Sequence, residues 1–179
     1  MISFRFVVGL SAVCCSMLLQ ADSAIDSLEG PQWKVFPYVK DGKAAFKAED
    51  KVLSLTSDPS GRGIHYFFDR KIVNRPGMKL TISFEYRGQS AGKGKSWLTA
   101  GVYLNHDGSY LQKAASFGGF SFAETEMSEW KKFSRTITLP DQAGKDNKTV
   151  TDGKFFFSLT KGGTAEIRNL TLEETSAAQ

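Results

Sequence analysis

Two segments near the middle of the chain, Met78–Arg87 and Trp97–Asn105, alternate between apolar and polar residues. A period of two predicts a β-strand that buries one face and exposes the other. The apolar rows are core positions. The opposite rows carry Glu85, Arg87, Trp97, Tyr103 and Asn105. Because exposed aromatic rings beside hydrogen-bonding groups are typical of binding surfaces, this pattern favours binding over catalysis.

Shorter strand-like runs fill the rest of the chain, and no window keeps the apolar period of a helix. Turn-forming pairs such as Asp41-Gly42 and Asp152-Gly153 separate the runs. The predicted strands are Trp33–Tyr38, Ala44–Lys47, Val52–Ser57, Gly63–Ile72, Met78–Arg87, Trp97–Asn105, Tyr110–Lys113, Trp130–Leu139, Lys154–Thr160 and Ala165–Leu172. This spacing predicts an all-β fold, an antiparallel β-sandwich or jelly roll. Gly88–Ser96 and Gly118–Glu129 are predicted loops, and the chain is expected to fray after Leu172.

The N-terminal segment has the pattern of a secretory signal peptide. Arg5 precedes the mostly apolar stretch Phe6–Leu19, which is too short for a stable membrane span, and small residues follow it. Cleavage after Ala21 or Ser23 fits, and Ser23 is favoured; an uncleaved anchor is the alternative. We therefore predict a signal peptide over 1–23, a single domain over 24–174 and a flexible tail over 175–179. The mature protein is expected to be extracellular or periplasmic, with no membrane span.

Both cysteines, Cys14 and Cys15, fall within the predicted signal peptide. A mature chain without disulfides must be stabilised by burial of its core, or by the core and a metal ion. About 155 residues are enough for this, because a chain of that size buries roughly 70% of its unfolded surface.

The formal net charge is +4, and the lysines are scattered along the chain. Nucleic-acid-binding domains usually concentrate Lys and Arg on one face, so the pattern argues against a nucleic-acid partner. A mild attraction to acidic polysaccharides is the more useful inference from the charge.

The order of several motifs resembles the carbohydrate-binding modules of families 4 and 9, within the galactose-binding-like jelly-roll superfamily. Trp33 opens the first strand, Arg75-Pro76-Gly77 precedes the alternating strand Met78–Arg87, and Ile167-Arg168-Asn169-Leu170 begins the closing strand. The resemblance covers nearly the whole mature chain and implies a jelly roll that binds a polysaccharide or oligosaccharide. The superfamily also contains adhesive and cell-surface domains, so a structural module that docks a protein partner is the alternative.

The resemblance further implies a possible structural calcium ion near the first and last strands. Asn169 stands where an aspartate would be a better ligand, and Asp41, Glu49 and Asp50 are available near the other end. Calcium takes 6–8 oxygen ligands and prefers charged ones. These residues make a calcium site possible without fixing its ligands.

A ligand-binding plate follows if Met78–Arg87 and Trp97–Asn105 are neighbours in one sheet. Trp97 and Tyr103 would then stack on sugar rings, and the hydrogen-bonding groups would come from Glu85, Arg87, Asn105 and His65. The alternative is that a loop such as Gly118–Glu129 covers Trp97 or Tyr103. Trp33 and Trp130 begin strands and are expected in the core. Gly101 fits either the floor of a ligand site or a β-bulge.

Signals of catalysis are weak. His65 and His106 are the two histidines of the chain, no Gly-x-Ser-x-Gly elbow is present, and no His or Cys cluster suggests zinc. Glu85 has no evident carboxylate partner for glycoside hydrolysis, with Asp69 the nearest candidate. The sequence therefore predicts a secreted, non-catalytic module that binds a glycan through an aromatic and polar face.

Overall fold

A computed structural model describes residues 22–25, 27–91, 95–122, 129–160 and 162–175 of the chain. Within these ranges the chain forms fourteen β-strands and no helix. The strands are β1 (Asp22–Ile25), β2 (Trp33–Lys40), β3 (Gly42–Lys47), β4 (Val52–Ser57), β5 (Ile64–Phe68), β6 (Ile72–Val73), β7 (Lys79–Ser90), β8 (Ser96–His106), β9 (Ser109–Phe122), β10 (Lys131–Thr138), β11 (Gln142–Ala143), β12 (Lys148–Thr149), β13 (Asp152–Thr160) and β14 (Gly163–Thr175).

Two antiparallel sheets form a sandwich. Sheet I has the order β10-β7-β14-β4-β3, with β1 beside β14. Sheet II has the order β2-β5-β13-β8-β9, with β6 beside β13, and β11 and β12 form a separate hairpin. Strands adjacent in sequence repeatedly alternate between sheets, which is the connectivity of a jelly roll. The predicted all-β antiparallel β-sandwich is confirmed.

The core lies between the sheets and is formed by the inward row of each alternating strand. Phe84 of sheet I meets Phe157 of sheet II edge to face, with ring centroids 5.3 Å apart. Trp33 is 6% exposed, stacks on Tyr66 at 5.2 Å and donates an Nε1–H hydrogen bond of 3.1 Å to the carbonyl oxygen of Ser27. The core position predicted for Trp33 is therefore confirmed, and loss of such a ring typically costs about 3–5 kcal/mol.

The predicted strands all have counterparts, but several boundaries were wrong. Strand β7 continues to Ser90 and β8 begins at Ser96, where the sequence predicted the loop Gly88–Ser96. The predicted strand Gly63–Ile72 is divided into β5 and β6. Residues 92–94 and 123–128 of the two predicted loops lie outside the described residues. Strand β9 continues to Phe122 as a partner of β8, where the sequence predicted a loop from Gly118. Glycines interrupt the apolar pattern there, yet Phe117 and Phe122 are buried and hold the segment against the core. Strand β14 continues to Thr175 opposite Lys79 instead of fraying after Leu172.

The predicted chain ends fall mostly outside the described residues. These include 1–21 of the predicted signal peptide and 176–179 of the predicted tail. Strand β1 spans the favoured cleavage point, with Ser23 opposite Glu173 and Ile25 opposite Leu172. The signal peptide and the two domain boundaries stay predictions.

Candidate functional site

The two alternating segments, Met78–Arg87 and Trp97–Asn105, lie in different sheets. Strand β7 pairs with β10 and β14 in sheet I, whereas β8 pairs with β13 and β9 in sheet II. The single plate expected from Met78–Arg87 and Trp97–Asn105 was therefore wrong. Glu85 and Arg87 face outward on one side of the sandwich, and Trp97 and Tyr103 face outward on the other. Alternation identifies the buried face of a strand, but it does not identify the sheet to which the strand belongs.

On sheet I the outward charges pair with one another across two strands. The Arg87 guanidinium contacts the Glu166 carboxylate at 2.6 Å, and Arg168 Nε donates to Glu85 at 2.7 Å. Both guanidinium carbons lie over the half-buried ring of Trp130, at 4.6 Å for Arg87 and 4.1 Å for Arg168. The core position expected for Trp130 was wrong, because its ring covers this charged face instead. Glu85 and Arg87 are thus engaged by neighbouring side chains.

On sheet II the outward side chains form an aromatic cluster, which consists of Phe36, His65, Tyr103, Tyr110 and Phe156. Tyr103 stacks on Phe156 at 4.2 Å and meets Tyr110 edge to face at 5.4 Å. His65 stacks on Phe156 at 5.8 Å, and Phe36 lies 5.6 Å from Tyr103. The structure therefore brings together two of the candidate ligand residues, His65 and Tyr103.

Phe36 reaches this cluster because β2 bulges outward. Val35 pairs with Tyr66 and Lys40 pairs with Ile64, so four residues of β2 face one residue of β5. Pro37 lies within the bulge and has no N–H to donate to the ladder. Tyr103 is covered by Phe36, and residues 123–128 of the loop that the sequence suggested as a cover lie outside the described residues. A proline inside a strand-like run was the signal of this bulge.

Gly101 makes room for the ring of Phe156. A Cβ atom at Gly101 would lie 2.8 Å from Phe156 Cζ and 2.9 Å from the carbonyl oxygen of Ala115. The pairing of β8 with β9 also shifts register between Ala100 and Gly101. Of the two explanations offered by the sequence, the bulge is present, and an aromatic side chain occupies the space above the glycine.

His65 and Tyr103 are joined by a hydrogen bond between Nδ1 and the phenolic oxygen. Burial lowers the pKa of His65, so the imidazole is neutral at neutral pH. Burial also raises the pKa of Tyr103, and the nearby Tyr110 raises it further. Because both groups are neutral, the hydrogen of this bond belongs to the phenol in one tautomer of His65 and to Nδ1 in the other.

Trp97 is separate from the aromatic cluster and is 44% exposed. It stands on the same outward row as Tyr103, six positions or roughly 20 Å along the strand. Among the described residues, the outward positions that pair with Thr99 and Trp97 carry small side chains. These positions are Thr99, Gly119, Ser121, Ser158 and Thr160, which we call the trough. The trough therefore runs from an exposed indole to the edge of the aromatic cluster.

Asn105 lies on the same outward row but belongs to a buried hydrogen-bond network. It is 7% exposed, and its Nδ2 donates to Oδ1 of Asp152 at 2.8 Å. Its carbonyl oxygen accepts a hydrogen bond of 2.9 Å from the backbone N–H of Thr151. These contacts fix the turn after β8 and give Asn105 a structural role.

A charged triad borders the aromatic cluster. The Asp69 carboxylate accepts hydrogen bonds from both Lys34 and Lys154. These two hydrogen bonds hold the pKa of Asp69 below its usual range, the one from Lys154 having the larger effect. The Lys154 ammonium also lies 5.5 Å from the ring centre of Phe67. Asp69 is therefore ionised at neutral pH, and one carboxylate between two ammonium groups gives the triad a net positive charge.

Metal ligands do not converge in the part of the chain that the structure describes. No group of three or more His, Cys, Asp and Glu side chains there is placed to hold a metal ion. Asp41, one of the acids considered for calcium, accepts a 2.8 Å hydrogen bond from the backbone N–H of Arg62. Calcium binding stays a prediction. Likewise, the described residues contain no helix long and apolar enough to cross a membrane.

The sequence matches no family model and no curated protein. The fold is similar to several solved structures. A CBM4 structure is 16% identical with a TM-score of 0.53, over 85% of this chain and 93% of that chain. The CBM22-1 xylan-binding domain of Paenibacillus barcinonensis Xyn10C is 15% identical with a TM-score of 0.52, over 89% and 96%. The N-terminal cellulose-binding domain of Cellulomonas fimi β-1,4-glucanase C is 12% identical with a TM-score of 0.52, over 87% and 96%. The chain therefore has the jelly-roll fold of carbohydrate-binding modules, as its motifs suggested.

Proposed function

We propose that this protein is a secreted, non-catalytic domain that binds a glycan on the outer face of sheet II. One observation carries the proposal. The exposed indole of Trp97 stands on the same row as Tyr103, and the trough of small side chains lies between them. A sugar chain in the trough would contact the Trp97 ring at one end and the aromatic cluster at the other.

The chemistry of this face suits a carbohydrate. Sugar rings present C–H groups that pack against an aromatic face, and a stiff ring such as that of Trp97 loses little entropy on contact. Sugar hydroxyls need donors and acceptors, which the hydroxyls of Thr99 and Thr160 and the Nε2 atom of His65 supply. Open sites of this kind bind weakly, on the order of 4–8 kcal/mol, which corresponds to millimolar to micromolar dissociation constants.

The solved structures of similar fold support a glycan ligand. Two of them are named for binding xylan and cellulose. Neither name assigns a sugar to this chain, and we propose only the ligand class.

The acid–base groups on this face support binding without catalysis. His65 and Tyr103 are hydrogen-bonded to each other, and burial disfavours the charged form of each. Asp69 is held in its ionised form by Lys154 and Lys34, which makes it a poor proton donor. We therefore expect no release of reducing or unsaturated ends when the protein is incubated with polysaccharides. Such release would contradict the proposal.

The same face bears on the alternative, a domain that docks a protein partner. A contiguous apolar patch would favour a protein. Among the described residues, the exposed large apolar side chains stand on four different strands; they are Val35, Val73, Trp97 and Tyr110. Polar side chains surround the one on β8, so the surface favours a glycan.

Affinity electrophoresis of the mature protein against plant, algal and microbial polysaccharides tests the proposal, with calcium and with chelator. Retardation by one class of polymer is expected. Loss of retardation in chelator would indicate that calcium supports the domain. Absence of retardation across the panel would overturn the proposal and favour a protein partner.

A pair of tryptophan variants tests the location of the site. Trp97→Ala should abolish retardation with little change in melting temperature, because the side chain is 44% exposed. Trp130→Ala is the matched control, since it removes the same side chain from the outer face of sheet I. Retardation that survives Trp97→Ala but not Trp130→Ala would move the site to sheet I.

A further inference from the structure

The described residues of sheet II carry a cluster of charged side chains at one end of the outer face. Near Trp97 the trough is lined by neutral side chains. At the other end of the row, Lys154 stands directly opposite Tyr103 and forms the triad with Asp69 and Lys34. One carboxylate between two ammonium groups leaves a net positive charge beside the aromatic cluster.

A second group of lysines continues from the aromatic cluster. Tyr110 contacts Tyr103 edge to face and also lines a groove of about 470 Å³ between β9 and the β11–β12 hairpin. Three of the lining residues are lysines, and one is an acid. They are Lys113, Lys145, Lys148 and Asp146. Two positively charged clusters thus flank the exposed ring of Tyr110, which is 49% exposed.

The groove is held in place by contacts to sheet II. His106, at the end of β8, donates from Nδ1 to the carbonyl oxygen of Thr149 at 2.9 Å. The backbone N–H of Asp107 donates to Thr151 Oγ1 at 2.8 Å. These hydrogen bonds fix the hairpin that carries Lys145 against the sheet, so its charge lies at a defined place beside the aromatic cluster.

The outer face of sheet I has a different arrangement of charge. There the two arginines pair with carboxylates on the next strand, Arg87 with Glu166 and Arg168 with Glu85, and exposed lysines such as Lys43 and Lys79 lie on β3 and at the start of β7. The two lysine clusters of sheet II contain five lysines and two aspartates, Asp69 and Asp146. The excess positive charge lies beside the aromatic cluster, at one end of the proposed glycan site.

We propose that the ligand is an acidic glycan, whose carboxylate or sulfate groups contact these lysines while its sugar rings pack on Tyr110 and Trp97. The inference rests on the proposed function and names the class of glycan. Lysine ammonium groups act as hydrated point charges. Binding to an acidic chain should therefore weaken as salt concentration rises and the charges are screened.

Matched polymers test the charge requirement. De-esterified and fully methyl-esterified homogalacturonan share one backbone and differ in charge, as do sulfated and desulfated forms of one galactan. We expect retardation by an acidic polymer, little by its neutral counterpart, and a loss of affinity between low and high salt. Equal, salt-insensitive binding to both members of a pair would overturn the inference and leave the proposed function standing. Binding to neither member of any pair, nor to any other polysaccharide, would overturn both.

A double variant locates the contact. Lys145→Gln with Lys148→Gln should weaken binding of the acidic polymer about 2- to 30-fold. The control, Lys43→Gln with Lys79→Gln, removes the same charge from exposed positions of sheet I and should leave affinity unchanged. Equal loss in both double variants would show attraction to net charge alone, as would equally tight binding of double-stranded DNA, and either result would overturn the inference.

Discussion

Replacing Gly101 by alanine should disturb the aromatic cluster through one atom. The added Cβ would lie 2.8 Å from Phe156 Cζ and 2.9 Å from both Phe156 Cε1 and the Ala115 carbonyl oxygen. These distances are shorter than ordinary contacts, so the Phe156 ring must move, and Tyr103 stacks on that ring at 4.2 Å. Overpacking of this kind typically costs about 1–3 kcal/mol. For a domain of this size the melting temperature should fall by about 2–12 °C.

A double-mutant cycle separates the destabilisation caused by the Phe156 ring from that caused by the Ala115 carbonyl oxygen. Phe156→Leu shortens the side chain above Gly101, so the combination with Gly101→Ala should be less destabilising than the two single changes added together. We expect a coupling free energy of about 0.5–3 kcal/mol. Relief should be partial, because the contact with the Ala115 carbonyl oxygen remains.

Urea denaturation followed by tryptophan fluorescence measures the four free energies of unfolding. Gly119→Ala is the control on the same outward face. Its nearest contacts would be 3.6 Å from Thr99 Oγ1 and 3.7 Å from Trp97 Cε3, which are ordinary distances. That variant should be as stable as the parent or more stable, because alanine reduces the entropy of the unfolded chain. A Gly101→Ala variant as stable as the parent, or a coupling of zero, would refute the packing described here.

Three further predictions concern pH, the buried network and the N-terminus. Burial lowers the pKa of His65, so the unfolded chain binds more protons below about pH 6.5 and stability should fall as the pH decreases. Urea midpoints from pH 7.5 to 5 should show this fall in the parent and in His106→Gln but not in His65→Gln; an unchanged slope in His65→Gln would contradict the assignment. Asn105→Ala should cost about 1–3 kcal/mol of stability without changing glycan affinity, since it removes the hydrogen-bond donor to Oδ1 of the buried Asp152 carboxylate. Unchanged stability with lost affinity would instead make Asn105 a ligand contact. Mass spectrometry of the exported protein should find an N-terminus directly after Ser23, and an intact N-terminus would rule out cleavage.

Local patterns predicted the strands well and the arrangement of the site less well. Alternation correctly placed Leu98 in the core and Trp97 on the outer face. Alternation did not show that Glu85 and Trp97 lie on opposite outer faces of the sandwich. The assignment of a strand to one of two sheets depends on pairing between residues distant in sequence. In the same way, the partner of Asn105 is Asp152, which lies 47 positions away.

The sequence did not indicate that Phe36 covers Tyr103, and the reason is a different one. Phe36 lies in a strand-like run and has no special pattern of its own, and its position depends on a bulge opposite β5. Pro37 was the local sign of that bulge, but the distance from Phe36 to Tyr103 follows only from the packing of β2, β5, β13 and β8. For Gly101, likewise, the sequence allowed either a ligand floor or a β-bulge, and only the structure shows that the ring of Phe156 lies above it.

The same bulge also affects how the molecule behaves at high concentration. An exposed edge strand can pair with the edge of another molecule and begin aggregation. In β2 the bulge and Pro37 break the straight ladder, and in β9 two register shifts do the same. The edges of sheet I carry exposed lysines, Lys43 and Lys47 on β3 and Lys131 and Lys132 on β10. With β2, β9, β3 and β10 protected in this way, the long edges of the sandwich should resist edge-to-edge aggregation without the help of a disulfide.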